Sequence, residues 1–312
     1  MVPPKQVDME SVLVSVIVPT YKRPLFYLSR AVESLLNQTH KNVEIVVIDD
    51  SPKDYPDRPQ IENYIRDVGR EHPDVIYIQN DKSLGGALAR NKGIQACHGA
   101  YITFLDDDDE YRPEKIERQL RFMLCKGCDV SFSDMIMYDT TGHVVDFREH
   151  RDISSFDNEY LLRYHLTRKI TGTPTFMYKA NKLREIGGFD DAILGQEFYL
   201  MLKTIKCGLK IQYMSGCDVV VYKHQDGGIS QGKNKIVGEN IVFATIKEHF
   251  AHLSRREQRF ATFRHWAVLI VAYKRNKMYA SILGALIVAF FISPLDFVLE
   301  VNKFIRNIRQ NR

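Results

Sequence analysis

The 312-residue sequence lacks several features that would settle its class at once. It has no run of about twenty apolar residues, the length a helix needs to cross a bilayer. The nearest candidate, Ala280 to Ile292, is cut off by Pro294 and Asp296. No secretory signal stands at the N-terminus, and the five cysteines are an odd number, so a reducing cytosol is expected rather than a disulfide framework. Cys125 and Cys128 have the spacing of half a zinc site, but no second Cys/His pair completes it. No Gly-x-Gly-x-x-Gly follows the first apolar run, where "PTYKRP" stands instead, which argues against a nicotinamide-dependent oxidoreductase. Repeats and low-complexity segments are absent too. With 45% apolar and 26% charged residues the chain can bury a sizeable core, which excludes global disorder.

What is present is a rhythm. "VLVSVIV" (Val12 to Val18), "VEIVVI" (Val43 to Ile48), "VIYI" (Val75 to Ile78) and "YITFL" (Tyr101 to Leu105) read as strands buried on both faces. Helical patterns lie between them: Leu25, Leu28, Val32, Leu35 and Leu36; then Ile61, Tyr64, Ile65 and Val68; then Ala87 to Ala96. This alternation predicts an α/β fold, a Rossmann-like and mostly parallel sheet with helices on both faces. Each strand ends in a polar cluster: Pro19-Thr20-Tyr21-Lys22-Arg23, Asp49-Asp50-Ser51, Gln79-Asn80-Asp81, and Asp106 to Asp109. All four clusters should share the carboxyl edge, where open α/β sheets bind ligands. Beyond Pro113 the rhythm changes to an amphipathic helix (Ile116, Leu120, Met123, Leu124), an alternating strand "DVSFSDMIMYD" and a helix beginning near Gln196. From about Lys233 the sequence reads as mainly helical.

The stretch "AYITFLDDDDEYRP" runs a buried strand straight into adjacent carboxylates. Crowded carboxylates repel one another, more so at the mouth of a cleft than in open water. Magnesium or manganese would relieve that repulsion with oxygen ligands and keep positions open for phosphate. The bland alternative is a solvated acidic turn.

The ordered set "SVIVPTYKR", "VVIDDS", "SLGGALARNKG", "ITFLDDDD", "GGFDDAILGQEFYLML" and "YKHQDGGIS" resembles glycosyltransferase family 2, over roughly residues 13 to 230. The resemblance implies a GT-A fold and inverting transfer from a nucleoside-diphosphate sugar, most often a UDP-sugar, to a glycan or lipid-linked acceptor. Carried onto matching positions, it implies that Pro19, Thr20, Tyr21 and Arg23 border the nucleotide and that Asp50 meets the base. It further places Asn80 and Arg90 by the nucleotide and phosphates, Asp106 and Asp107 on ribose and donor sugar, and Asp108 on a Mn2+ or Mg2+ ion. Lys223 would help to bind phosphate and His224 would close the site near metal and diphosphate. Thr173 falls on the acceptor side. Gly85, Gly86 and Gly93 are expected to serve close backbone packing.

Inverting transfer also needs a base for the acceptor hydroxyl. The family usually supplies it as the Asp of a Glu-Asp pair; here "GQEFYLML" puts Gln196 and Glu197 at those places. Glu197 is therefore the expected catalytic base, and Gln196 is expected to offer hydrogen bonds to the acceptor. A second departure is Pro52, which stiffens the turn after Asp50 where the family more often has Gly. Because of the Gln-Glu pair, a non-catalytic sugar-nucleotide-binding or scaffold protein is the alternative. A glycoside hydrolase would not need an acidic cluster behind a nucleotide-like half-domain.

The expected organisation is a nucleotide-sugar half over 1–112, an acceptor half of the same GT-A domain over 113–232, and a helical C-terminal region over 233–312. The formal net charge is +4, and from Arg255 onward positive residues dominate. Lys274, Arg275 and Lys277 precede the apolar stretch, and Lys303, Arg306, Arg309 and Arg312 follow it. That pattern points to helices on the inner face of the cytoplasmic membrane or in a homo-oligomer interface, not to a nucleic-acid partner. A plain core helix is the unremarkable reading.

Overall fold

The computed structural model describes residues 8–139, 141–192, 194–223 and 232–310, with 303–310 as backbone alone. β1 (Val14–Thr20), β2 (Val43–Asp49), β3 (Val75–Gln79) and β4 (Tyr101–Phe104) alternate with α1 (Leu25–Leu36), α2 (Arg58–Glu71) and α3 (Gly86–Ala96). β5 (Glu110–Tyr111), α4 (Lys115–Lys126), β6 (Val130–Asp139), β7 (Val144–Arg148) and α5 (Asn158–Arg168) follow. Then come β8 (Met177–Lys179), α6 (Ala180–Glu185), α7 (Gln196–Lys206) and β9 (Ile211–Lys223). The chain ends in α8 (Gly232–Glu248), α9 (Arg255–Arg275), α10 (Tyr279–Ile292) and α11 (Pro294–Gln310).

Among the described residues the strands form one sheet in the order β3-β2-β1-β4-β8-β6-β9-β5, with β7 added on β6. β1 pairs in parallel with β2 and β4, and β2 with β3. β8 is antiparallel to both β4 and β6, so β6 and its parallel partner β9 again run in the direction of β4. β1, β2, β3, β4, β6 and β9 therefore end on one edge, and β9 brings Tyr222 and Lys223 to the edge that holds Asp106 to Asp109. This is the α/β arrangement expected. β1 and β4 are buried throughout nearly their whole length, whereas β3 is only half-buried because it is an edge strand.

The core forms where α1 lays Leu28, Ala31, Val32 and Leu35 against β1 and β2, and where α4 adds Ile116, Leu120 and Met123. α3 crosses β1 so closely that a Cβ on Gly93 would lie 2.5 Å from Ile17. Gly85 serves conformation instead: its φ of 85° turns the chain into α3 with open space around it.

The chain divides into two compact units, Met1–Asn158 with Thr171–Gln225, and Glu159–Ile170 with Asp226–Arg312. In the second unit the end of α5 is held to the later helices by a partly buried ion pair, Lys169 Nζ, one residue past α5, donating to both oxygens of the buried Glu239 at 2.6 and 2.8 Å. His265 approaches the same carboxylate at 3.4 Å and stacks on Phe243. Ser254 and Glu257 close a reciprocal capping box at the start of α9.

In the first unit, burial beside Phe132 and Tyr213 pushes the His150 imidazole down to about 4, with the nearby Asp134 and Asp152 opposing the shift. A base held neutral in the fold binds its proton more readily when unfolded. The stability at neutral pH is therefore lost as pH falls from about 6.5 to about 4, by about 3 kcal/mol from this group. Urea unfolding at the two ends of that window should show His150→Leu losing about 3 kcal/mol less than the parent.

Candidate active site

The site begins with the need to seat four aspartates at the end of β4. Asp107 is buried; Thr20 Oγ1 donates to one of its oxygens at 2.6 Å and Arg23 Nε to the other at 3.1 Å. Arg23 also pairs with Asp108 at 2.9 Å. Burial still pushes the Asp107 carboxyl up to about 6, with Asp108 and Asp106 adding to the rise against Arg23 and Thr20. Asp109 is driven up as well, by burial first and then by its neighbouring aspartates. The turn is short of positive charge even with Arg23 in place.

Asp109 and Glu110 fasten the turn to β9. Asp109 Oδ1 accepts the Tyr222 N–H at 3.0 Å, and Glu110 pairs with Val220 in the sheet. Arg30 of α1 completes the clip: it donates to the Asp108 carbonyl at 2.6 Å, pairs with Glu110 at 2.9 Å, and lies 4.0 Å from the Tyr222 ring centroid. The backbone leading to Lys223 is thus fixed against the acidic turn.

A second node sits at the ends of β2 and β3. The buried Asp50 carboxylate accepts from Asn80 Nδ2 (2.7 Å), Ser83 Oγ (3.0 Å), Leu84 N (2.8 Å) and Gly85 N (2.8 Å). Asn80 is equally committed: its N–H donates to the Asp49 carbonyl, its Oδ1 accepts from Lys92 and its carbonyl from Arg58. Asp49, fully buried, takes hydrogen bonds from Tyr77 and Ser51 and lies 3.7 Å from Arg58. These bonds hold the loop that leads into α3.

Arg90 on α3 joins the acidic turn to α7. Its Nη2 donates to Asp106 at 2.5 Å and its Nη1 to Gln196 Oε1 at 2.9 Å. Gln196 thus keeps an acceptor oxygen for Arg90. Gly86 lies beneath this contact, where a Cβ would come within 3.1 Å of Arg90 Nη1. Beside it Glu197, half-buried in the first turn of α7, has no hydrogen-bond or ion-pair partner among the described residues.

A family model described as glycosyl transferase family 2 matches residues 15–187. That is more than half of the chain, and it takes in the acidic turn and the Asp50 node but ends before α7 and β9. The chain belongs to glycosyltransferase family 2. Its similarity to the putative teichuronic acid biosynthesis glycosyltransferase TuaG of Bacillus subtilis is 30% identity over 224 residues, 72% of this chain and 83% of that protein. An uncharacterized glycosyltransferase of Methanocaldococcus jannaschii is 28% identical over 64% of this chain and 66% of its own. The putative colanic acid biosynthesis glycosyl transferase WcaA of Escherichia coli is 23% identical over 81% and 88%. In fold the chain matches S. aureus TarS 1-349, crystallised with UDP-GlcNAc, at a TM-score of 0.58 and 17% identity, covering 88% of this chain and 89% of that one. The GT-A fold is shared, with helices added at the C-terminus.

The structure of this family 2 glycosyltransferase brings Thr20, Arg23, Arg90, Asp106, Asp107, Asp108 and Gln196 into one linked set. Pro19 pairs with Ile48 of β2 one residue before β1 ends at Thr20, and Tyr21, just past the strand, is exposed. Thr173 is buried in a single 3-10 turn, Thr173–Thr175, next to the Pro174 carbonyl that Tyr111 holds. His224 lies outside the described residues. Two of the expectations carried from the resemblance meet a different environment. Asp50 and Asn80 already have their polar atoms engaged by the chain, so a base would add to that network rather than meet free groups. Gln196 has its oxygen on Arg90 and only its amide nitrogen left for an acceptor. Arg30, Arg58, Ser83 and Tyr222 were not singled out in the sequence, although Ser83 and Tyr222 open the quoted stretches "SLGGALARNKG" and "YKHQDGGIS".

Asp50→Ala would strand the N–H groups of Leu84 and Gly85 and the Asn80 amide in a buried place. We expect it to cost about 3 kcal/mol of stability by urea unfolding, apart from any effect on ligand binding.

Proposed function

We propose that the enzyme transfers a sugar with inversion from a UDP-sugar to a hydroxyl of a glycan or lipid-linked glycan, in the cytoplasm. The observation that carries this reading is the unpartnered Glu197 carboxylate, set at the start of α7 and tied through Gln196 and Arg90 to Asp106. The similarity to proteins named for teichuronic acid and colanic acid biosynthesis, and to a neighbour crystallised with UDP-GlcNAc, supports the substrate classes.

In this reading Glu197 takes the proton of the acceptor hydroxyl as its oxygen bonds to the anomeric carbon and the bond from that carbon to the diphosphate breaks. Thr20 and Arg23 hold Asp107, and Arg90 holds Asp106, so that both carboxylates are pre-set for ribose and donor sugar. Pro19, Tyr21, Asp50 and Asn80 shape the nucleotide pocket. Arg23, Arg90 and Lys223 supply cationic contacts to the diphosphate. Thr173 and the Gln196 amide face the acceptor side.

The acidic turn fits a hard divalent cation, since its carboxylates are oxygen donors and remain under-compensated with Arg23 present. Among the described residues no three His, Cys, Asp or Glu side chains are grouped to hold a metal ion. Asp108 would therefore hold Mn2+ or Mg2+ together with phosphate and water oxygens, and His224 would add a ligand. Such an ion offsets the charge that develops on the departing diphosphate.

Glu197→Gln should lower sugar transfer from a UDP-sugar by about a thousandfold or more while UDP binding, read by calorimetry, stays near the parent value. Unchanged turnover in that variant would remove Glu197 from the role of base. Asp108→Ala should instead weaken UDP binding in the presence of manganese by about tenfold or more, and change it little in the presence of chelator.

A further inference from the structure

The C-terminal helices present a face that nothing in their own unit covers. α10 packs on α9 and carries no charged residue, yet the only side chains it buries fully are Ala285 and Ala289. The large ones point elsewhere. Tyr279, Leu283, Ile287 and Phe291 recur every four residues along α10, and Leu295 and Leu299 continue that spacing on α11, each 51–77% exposed. Contiguous apolar surface on this scale marks an interaction site.

Charge sits at both ends of the stripe. Arg275 and Lys277 immediately precede α10. At its far end a cleft of about 660 Å³ is lined by Phe291 and Ile292 together with Arg255 and Arg259 from the first turns of α9. None of these four cations has an ion-pair partner among the described residues. The acids nearby are few: Glu257 is occupied by its capping box and by Arg163, Asp296 accepts from Ser293 Oγ at 2.6 Å, and Glu300 is exposed on α11. Lys303, Arg306 and Arg309 then follow at every third position of α11.

No helix among the described residues is long and apolar enough to cross a membrane. At a rise of about 1.5 Å per residue α10 reaches about 21 Å, short of the roughly 30 Å of a hydrocarbon core. A short uncharged helix, exposed along one stripe and flanked by unpaired cations, suits the plane of a membrane interface.

We propose that the face formed by α10 and α11 docks on an anionic lipid bilayer, with the apolar stripe in the headgroup boundary and Arg255, Arg259, Arg275 and Lys277 against lipid phosphates. Lipid phosphates supply the counter-charge these cations lack, and the hydrocarbon boundary covers the stripe. A two-fold dimer through the same face would cover the stripe but bring like cations toward one another. The inference stands on the C-terminal unit alone and does not depend on the sugar-transfer chemistry. It does place that chemistry where a lipid-linked acceptor would be found.

Flotation of the full chain with phosphatidylglycerol-rich and with pure phosphatidylcholine vesicles tests it. The protein should rise with the anionic vesicles and remain largely behind with the neutral ones. Leu283→Asp combined with Phe291→Asp should lower the bound fraction about tenfold or more on anionic vesicles. Arg255→Glu combined with Arg259→Glu should reduce the preference for anionic over neutral lipid, as should salt of about 0.5 M. All four positions are exposed, and circular dichroism should show both variants folded. Failure to float with either vesicle would overturn the proposal, and so would binding unaffected by both double variants. Sedimentation velocity showing a dimer that Leu283→Asp with Phe291→Asp dissociates, without vesicle binding, would assign the face to a second copy of the chain. Hydrolysis of UDP-sugar measured in parallel keeps a failure of docking apart from a failure of catalysis.

Discussion

The architecture of the first unit turns on mutual repulsion among carboxylates placed at the end of a buried strand. Four aspartates and a glutamate leave β4 together, and each is tied down: Asp106 to α3, Asp107 to β1 and Arg23, Asp108 to the same Arg23, Asp109 to β9 and Glu110 to α1. The repulsion is thereby turned into a set of radial ties. Elements far apart in sequence are drawn to one point because each brings a donor to the same turn. Arg23, Arg30 and Arg90 are planar forks able to meet two acceptors at once, and each of them does so. Three lysines could not hold the same geometry, because a single ammonium does not offer paired donors in a fixed plane.

The ties also explain why a Gln can stand at the start of α7. A Glu there would meet Arg90 as a full ion pair and so compete with Asp106 for the guanidinium. The Gln oxygen accepts one Nη1 hydrogen bond and leaves the charge of Arg90 to Asp106. The neutral residue divides the arginine between two neighbours, and the carboxylate next along the helix remains unengaged.

Much of this frame was legible in the sequence. β-branched runs fixed β1 to β4 to within two residues at each end, because strands buried in a parallel sheet read as continuous apolar stretches. The carboxyl-edge clusters were legible for the same reason, since a parallel sheet must deliver them to one side. What could not be read was the partner of each polar group. The resemblance put Asp50 against a base, but no local pattern showed that Asn80, Ser83 and two backbone N–H groups turn toward it, a pairing set by the path of a loop. Arg58 and Tyr222 were unreadable for a related reason. Their roles arise from contacts across the sheet edge, to which helical or strand spacing is blind. α5 was illegible as part of the C-terminal helices because its partner Glu239 lies seventy residues further on in sequence.

That last feature bears on how the chain is made. α5 leaves the ribosome well before the helices it belongs with, and its Lys169 has no carboxylate to meet until α8 has been synthesised. The strands of β8 and β9 must be completed in the interval, with α5 looped out between β7 and β8. During synthesis the sheet can therefore close while one helix of the other unit waits unpaired, its apolar side exposed to whatever else is nascent. The second unit is assembled from two separate pieces of chain, so cutting the gene after β9 would not yield a clean sheet unit. It would leave behind an orphan helix, followed by a lysine whose carboxylate partner is gone.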